Sequence, residues 1–272
     1  MLSTEDLNIG FIGGGNMSKA IIGGITSSGN IAADRIFVYD RHKEKLNFLK
    51  KQYCINGSES DADVVKTCSI IFLAVKPQNF PDLLRDIKNE VNEQKVFVSI
   101  AAGISSRFIT DSLSCFCPVI RAMPNTPLLL GEGATAVSRT EKVSNEVFSF
   151  VKSLFACCGT VSVIDEKQMD AIVSVGGSSP AYVYLLAKAV VDSAVKQGVD
   201  AKTALEIICQ TLKGSAQMLS RSGYTPDELI KMVSTKGGTT AAAMDVFYKG
   251  HFEDIVDGAM KACTERAKDL GR

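Results

Sequence analysis

Glycines 13, 14 and 15 stand in the stretch Gly10-Phe-Ile-Gly-Gly-Gly-Asn-Met-Ser18, between an apolar run at 8–12 and the helix-forming Lys19-Ala-Ile-Ile22. In that setting Gly13 permits a tight turn and Gly15 lets backbone N–H groups approach a pyrophosphate at the positive end of a helix. Ser18 stands where the dinucleotide fingerprint has its third glycine, and it is small enough for close packing of helix on strand. The alternative is an ordinary glycine turn. Its place after a strand, before a helix and near the start of the chain favours the dinucleotide.

The next apolar run ends at Asp40, 40 − 18 = 22 residues beyond Ser18, and is followed by Arg41, His42 and Lys43. An acid at about this spacing hydrogen-bonds the adenosine ribose and favours NADH. Arg41 and Lys43 could instead neutralise a 2′-phosphate and favour NADPH, or all these charges could belong to a solvated loop. A third stretch, Val233-Ser-Thr-Lys-Gly-Gly-Thr-Thr240, lies between two helical patterns. Two glycines free the backbone, and N–H groups at a helix start make a nest for an anion such as a carboxylate. A plain helix end followed by a threonine cap reads the same pattern without a ligand.

These residues need a scaffold. Apolar runs at 8–12, 36–39, 70–75, 96–100, 119–122 and 134–138 alternate with amphipathic stretches. Continuous rather than alternating apolar character predicts parallel strands covered on both faces, hence βαβ units in a doubly wound sheet. Ala74, Val75, Lys76 and Pro77 end one strand, and Ala101, Ala102 and Gly103 follow another. Small residues there leave room at the carboxyl ends of the strands. From about 165 onward the pattern is helical only. Ser179-Pro180 opens a helix and Gly198 closes it, while Thr225-Pro-Asp-Glu228 forms a capping box. The segment 181–196 is apolar almost all round, broken only by Lys188, Asp192 and Lys196, which predicts burial against another copy of the chain. The expected architecture is α/β: a Rossmann-type dinucleotide-binding domain over 1–164, then an all-helical substrate-binding and dimerisation domain over 165–272.

Length and composition exclude other classes. At roughly 150 residues per domain, 272 residues make one large domain or two smaller ones. Thirty Lys+Arg balance thirty Asp+Glu, with no basic run to hold nucleic acid. No apolar stretch approaches a membrane span, and the acidic start Met1-Leu-Ser-Thr-Glu-Asp6 is no signal peptide, so a cytoplasmic protein is expected. Eight cysteines without a Cys-x-x-Cys and only two histidines, His42 and His251, leave no metal-ligand spacing. Cys157-Cys158 reads as a pair of small hydrophobes rather than a redox site.

Taken together, the stretches 10–21, 74–77, 101–103, 121–127, 177–182 (Gly-Ser-Ser-Pro-Ala-Tyr) and 237–244 (Gly-Gly-Thr-Thr-Ala-Ala-Ala-Met) resemble the pyrroline-5-carboxylate reductase family. The resemblance covers essentially the whole chain. It implies reduction of the cyclic imine 1-pyrroline-5-carboxylate to L-proline by NADPH or NADH, the last step of proline biosynthesis. It implies cofactor contacts from Ile12, Gly13, Gly14, Gly15, Asn16 and Met17, from Asp40 and Arg41 after the second strand, from Ala74 to Pro77 and from Ala101 to Gly103. The substrate carboxylate would lie on the loop of Thr235, Gly237, Gly238, Thr239 and Thr240, with Thr240 the catalytic group at the ring nitrogen. Self-association through the helical domain, as a dimer or a decamer, is also implied. Two positions depart from the pattern of many members: Thr235-Lys236 replaces Ser-Pro, and Lys231 replaces an acid. A β-hydroxyacid dehydrogenase shares the two-domain plan, but its catalytic lysine, nine residues after Gly176 or Gly177, is here Leu185 or Leu186. A non-enzymatic dinucleotide sensor would lack the intact loop at 237–240.

Overall fold

Four-residue apolar runs buried on both faces build the centre of a sheet. The computed structural model describes residues 7–271. In it β1 (Ile9–Ile12), β2 (Ile36–Tyr39), β4 (Ile70–Leu73), β5 (Val96–Ser99) and β6 (Val119–Met123) are parallel, with the two-residue β3 (Asn56–Gly57) at one edge. Over these strands the order is β3-β2-β1-β4-β5-β6, so the winding reverses between β1 and β4. Ligands bind in the crevice that such a reversal opens at the carboxyl ends of the strands.

Two departures from a purely parallel sheet follow from connection lengths. After β6 the turn through Asn125 and the 3₁₀ segment Thr126–Leu130 is too short for a crossover, so β7 (Gly133–Arg139) returns antiparallel to β6. β8 (Gly159–Val163), which the alternation of patterns did not announce, then pairs parallel to β7. The helix α6 (Asn145–Ala156), capped by Ser144, supplies the crossover this requires.

Helices cover both faces. On one, α1 (Asn16–Ser28) and α6 bury Ile21, Ile22, Ile25, Val151 and Leu154 against Phe11 and Phe72, whose rings stack 4.5 Å apart. Cys158 is buried in this face and fills the notch opposite Gly24, while Cys157 is half-buried, so the pair packs as small hydrophobes do. α2 (Lys43–Tyr53) joins this face at the β2 edge through Leu46, Leu49 and Tyr53, while α3 (Asp61–Thr67), α4 (Phe80–Ile87) and α5 (Ser106–Leu113) lie on the other. Val64, Phe80, Leu84 and Ile109 form its core.

From Glu166 the chain is helical. α7 (Met169–Ile172) continues as a π-turn over Val173–Gly177, and π-turns of this kind recur at functional sites. The compact units divide at Ser178/Ser179, later than the expected 164/165, and the segment from Lys261 onward returns to the first unit. Packing explains the difference. Met169, Val173 and Ala267 are buried with Met123 and Ala136 of the sheet, and Arg121 of β6 holds two acids of this segment. Composition changes at 165, but side-chain contacts place 166–178 with the strands.

The second unit is Ser179–Met260. α8 (Ser179–Lys196) and α9 (Ala201–Arg221) form a hairpin, with Gly198 in the left-handed conformation and Asp200 capping α9 by accepting from the Thr203 N–H at 3.0 Å. α10 (Pro226–Val233) opens with the expected capping box: the Glu228 N–H donates to Thr225 Oγ1, and the Thr225 N–H donates to Glu228 Oε2. α11 (Thr239–Lys249) follows, and α12 (Phe252–Leu270) runs on into the first unit. Tyr184, Leu185, Ile207 and Val246 are each more than half exposed, which leaves apolar faces without cover in a single chain.

Candidate active site

The glycine loop sits where β1 must turn into α1. Gly13 has φ +104°, its N–H donates to the Tyr39 carbonyl at 2.8 Å, and a Cβ there would lie 2.7 Å from the Ala74 carbonyl oxygen. Ser18, fully buried, donates its hydroxyl to the Gly13 carbonyl at 2.5 Å, which fastens helix to loop. Gly15 is the N-cap of α1, with no side-chain cap and nothing within 4 Å of where a Cβ would stand. Uncapped amides beside an open cradle fit the pyrophosphate of a dinucleotide.

A crevice of about 480 Å³ opens here, lined by Gly13, Gly15, Asp40, Arg41, His42, Lys45, Ala74, Val75 and Lys76 among others. Of the other predicted cofactor residues, Ile12 is buried at the end of β1. Gly14, exposed Asn16 and half-buried Met17 complete the loop, and Pro77 starts the 3₁₀ turn Pro77–Asn79. Ala101, Ala102 and Gly103 do not border the crevice. Ala101 is in the core of the α4–α5 face, Ala102 packs beside Met123, and Gly103 backs onto the Ala267 carbonyl of α12.

The crevice is also lined by Asp61, Gln78, Asn79, Asp82, Leu83 and Asp86, none of which sequence reasoning singled out. Gln78 and Asn79 adjoin Pro77 and could have been found from it. Asp61 gave no signal, because only the fold brings α3 beside Asp40. Burial, followed by the charges of Asp86 and Asp40, pushes the Asp61 carboxyl up to about 6. A raised carboxyl favours folding in its neutral form. That contribution is complete below the ordinary carboxylate range and is lost as pH rises through about 6. Asp61→Asn is therefore expected to match wild type in stability near pH 3.5 and to exceed it above pH 6. The gain should be on the order of 1 kcal/mol, allowing for the solvent that reaches the carboxyl. Thermal melts across that range check it, and a gap independent of pH would refute it.

No cysteine lines the crevice, and in the cores behind it burial pushes the Cys68 and Cys117 thiols up to about 12 and Cys158 to about 11. Among the described residues no three His, Cys, Asp or Glu gather as a metal site, and no helix is long and apolar enough to cross a membrane.

The 235–240 loop lies in the second unit. Thr235, Lys236, Gly237 and Gly238 form a turn closed by the Gly238 N–H donating to the Thr235 carbonyl at 2.9 Å, with Gly237 at φ +75°. Gly238 caps α11 without any side-chain bond, and the first intrahelical bond is from the Ala242 N–H to the Gly238 carbonyl at 3.2 Å. The amides of Thr239, Thr240 and Ala241 thus stand at an uncapped helix start, where an anion is stabilised. Thr240 is half-buried in this first turn. One residue before the loop, the Ser234 hydroxyl is buried and has no hydrogen-bond partner among the described residues, a second polar group left open here.

Asn125, in the turn after β6, entered the sequence reading only within the stretch 121–127 that carries the family resemblance. Its Oδ1 accepts from the Ala134 N–H at 2.9 Å and its Nδ2 donates to the Gly176 carbonyl at 3.1 Å, which ties the π-turn to the sheet.

A doubly wound sheet with a glycine loop at its switch point, joined to a helical unit with uncovered apolar faces, defines a dinucleotide-binding, self-associating protein. Residues 8–103 match the family described as "NADP oxidoreductase coenzyme F420-dependent", and residues 166–270 match "Pyrroline-5-carboxylate reductase dimerisation". The pyrroline-5-carboxylate reductase of Escherichia coli is 39% identical across 97% of this chain and 98% of its own. Pyrroline-5-carboxylate reductase 3 of Danio rerio is 37% identical across 97% and 92%. The crystal structure of a Plasmodium falciparum pyrroline carboxylate reductase with NADP bound superposes with a TM-score of 0.91 at 30% identity, covering 99% of this chain and 100% of that one. The chain belongs to the pyrroline-5-carboxylate reductase family.

Proposed function

We propose that this chain reduces 1-pyrroline-5-carboxylate to L-proline with NADPH or NADH. The observation that carries this reading is its match to reductases of that name over nearly the full length of both chains, with the crevice and the uncapped 235–240 loop both intact. The nicotinamide dinucleotide, when bound, supplies the hydride. The C=N bond gains that hydride at carbon and a proton at nitrogen. A cyclic imine protonates readily, so the protein's task is chiefly orientation. Gly13 to Met17 and the segment from Ala74 to Pro77 would hold the cofactor. The amides at the start of α11 would hold the substrate carboxylate, and the Thr240 hydroxyl would hydrogen-bond the ring nitrogen. Ala101, Ala102 and Gly103 would act by shaping the end of β5. Self-association through the helical unit would cover the apolar faces of α8 and α9. Whether that assembly stops at a dimer or reaches a decamer, and its cytoplasmic setting, belong to the same proposal; eight unpaired cysteines suit a reducing compartment.

Loss of 340 nm absorbance that depends on the imine, measured with each nucleotide separately, tests the activity. No loss with either, in protein that still binds nucleotide, would sink the substrate assignment. Thr240→Ala is expected to lower kcat/KM by roughly tenfold, below the effect usual for a general acid; wild-type kinetics would remove Thr240 from the mechanism. Lys236 is exposed in the turn and adds a positive charge beside the carboxylate site. Lys236→Ala should raise KM for the imine with little change in kcat, and an unchanged KM would discard that role.

A further inference from the structure

We propose that His42, oriented by Asp40, selects the nicotinamide dinucleotide that carries a 2′-phosphate, and that Asp40 braces the glycine loop instead of reading the ribose. The inference rests on the reading of the crevice as the cofactor site and goes on to its specificity.

An acid at the end of the second strand of such a fold ordinarily accepts from the ribose hydroxyls, and that acceptance favours the cofactor without the phosphate. Asp40 is already committed. Its Oδ2 accepts from the Gly14 N–H at 2.7 Å, and its Oδ1 accepts from the His42 N–H at 2.8 Å and from the His42 ring Nδ1 at 2.9 Å. Three of a carboxylate's roughly four acceptor positions are thus spent within the protein. Half-burial works to raise this carboxyl, but the His42 and Gly14 amides, the His42 ring and Lys45 outweigh it, so Asp40 stays ionised below its ordinary range. Its charge is therefore matched locally, and one of its bonds fixes the loop where the pyrophosphate would lie.

The same bonds aim His42. With Nδ1 bound to Asp40, the ring atom left for a ligand is Nε2, and the half-exposed ring lines the crevice. Arg41 and Lys45 line the same crevice, so a histidine and two cations follow the second strand, the part of such a fold that faces the ribose. A protonated ring held in this way donates Nδ1–H to Asp40 and Nε2–H to a phosphate oxygen. A bare hydroxyl at that position gains no comparable charge-assisted bond.

The chain has no tryptophan, so the nucleotide's own fluorescence reports binding to the full-length protein without imine. NADPH is expected to bind at least about tenfold more tightly than NADH, the value of one charge-assisted bond. His42→Ala should weaken NADPH and narrow the gap between the two Kd values. His42→Gln, which keeps a partner for Asp40 but has no charge, should do the same. Asp40→Asn should weaken both nucleotides, because the loop loses its brace, and NADPH the more, because His42 loses its anchor. Equal Kd values in the wild type, an undiminished preference in both His42 variants, or an Asp40→Asn effect confined to NADH would each overturn the proposal. Any of these leaves imine reduction standing, whereas a wild type that binds neither nucleotide would remove the crevice reading itself.

Discussion

Arg121→Met should destabilise the protein by about 3 kcal/mol, the low end of what breaking a buried ion pair costs. The guanidinium is 5% exposed, with Nη1 3.4 Å from Glu166 and Nη2 3.2 Å from Asp170. Glu166 also accepts from the Ser106 N–H at 2.8 Å and from the Ser106 hydroxyl at 2.6 Å. The network fastens the start of the helical region to β6 and α5. Methionine fills much of the space but leaves two carboxylates facing an apolar side chain. Both acids are partly reached by solvent, which keeps the cost from being larger. Arg85→Met supplies the contrast. Its pairing with Asp82 is exposed, and its loss should change stability by less than about 1 kcal/mol. Urea denaturation of both variants checks the pair, and equal effects would refute the distinction. Because residues 166–178 lead directly into α8, proteolysis within that segment should also rise in Arg121→Met alone.

Gly13→Ala should do the greatest harm to function. The added methyl would stand 2.7 Å from a backbone oxygen, which cannot swing aside as a side chain can, in a residue whose φ of +104° suits glycine alone. Either the loop shifts off Ala74 or the strain is kept, at about 1–3 kcal/mol. A shift moves the amides of the loop away from the pyrophosphate, and misplacement of that kind lowers kcat/KM by roughly 100-fold. Nucleotide titration separates the two outcomes. Loss of binding with a near-native melting temperature means the loop moved, a lowered melting temperature with binding retained means the strain was kept, and no change in either would refute the assignment. Gly15→Ala, where nothing lies within 4 Å, should fold as the wild type does and weaken the nucleotide alone.

Local signals were enough for much of this. Gly13 is forced by a turn that three neighbouring residues describe. Thr225 and Glu228 cap each other three residues apart, and the continuous apolar runs at 9–12 and 70–73 admit only a strand buried on both faces. In each case partners lie within a turn or a period of one another, so spacing along the chain is spacing in space. Beyond reach were features whose partners are far apart in sequence. The short β3 has too few residues for a pattern. β8, mixed and partly exposed, looks like a loop until β7 pairs with it. The short turn after β6 makes that strand's neighbour antiparallel, and the charge of Arg121 shows its purpose only when Glu166 and Asp170 arrive 45 and 49 residues later.

By itself, then, the sequence determined an α/β dinucleotide fold with a helical partner domain, the glycine loop, and the turn at 235–238, because each rests on backbone conformation and short-range hydrogen bonding. The tertiary structure decided what Asp40 does with its oxygens, that Asp61 joins it in lining the crevice, and that Gly103 packs against the last helix. Those outcomes depend on which distant side chain comes within about 3–4 Å, the range at which hydrogen bonds and packing act. Only the folded sheet brings those residues that close.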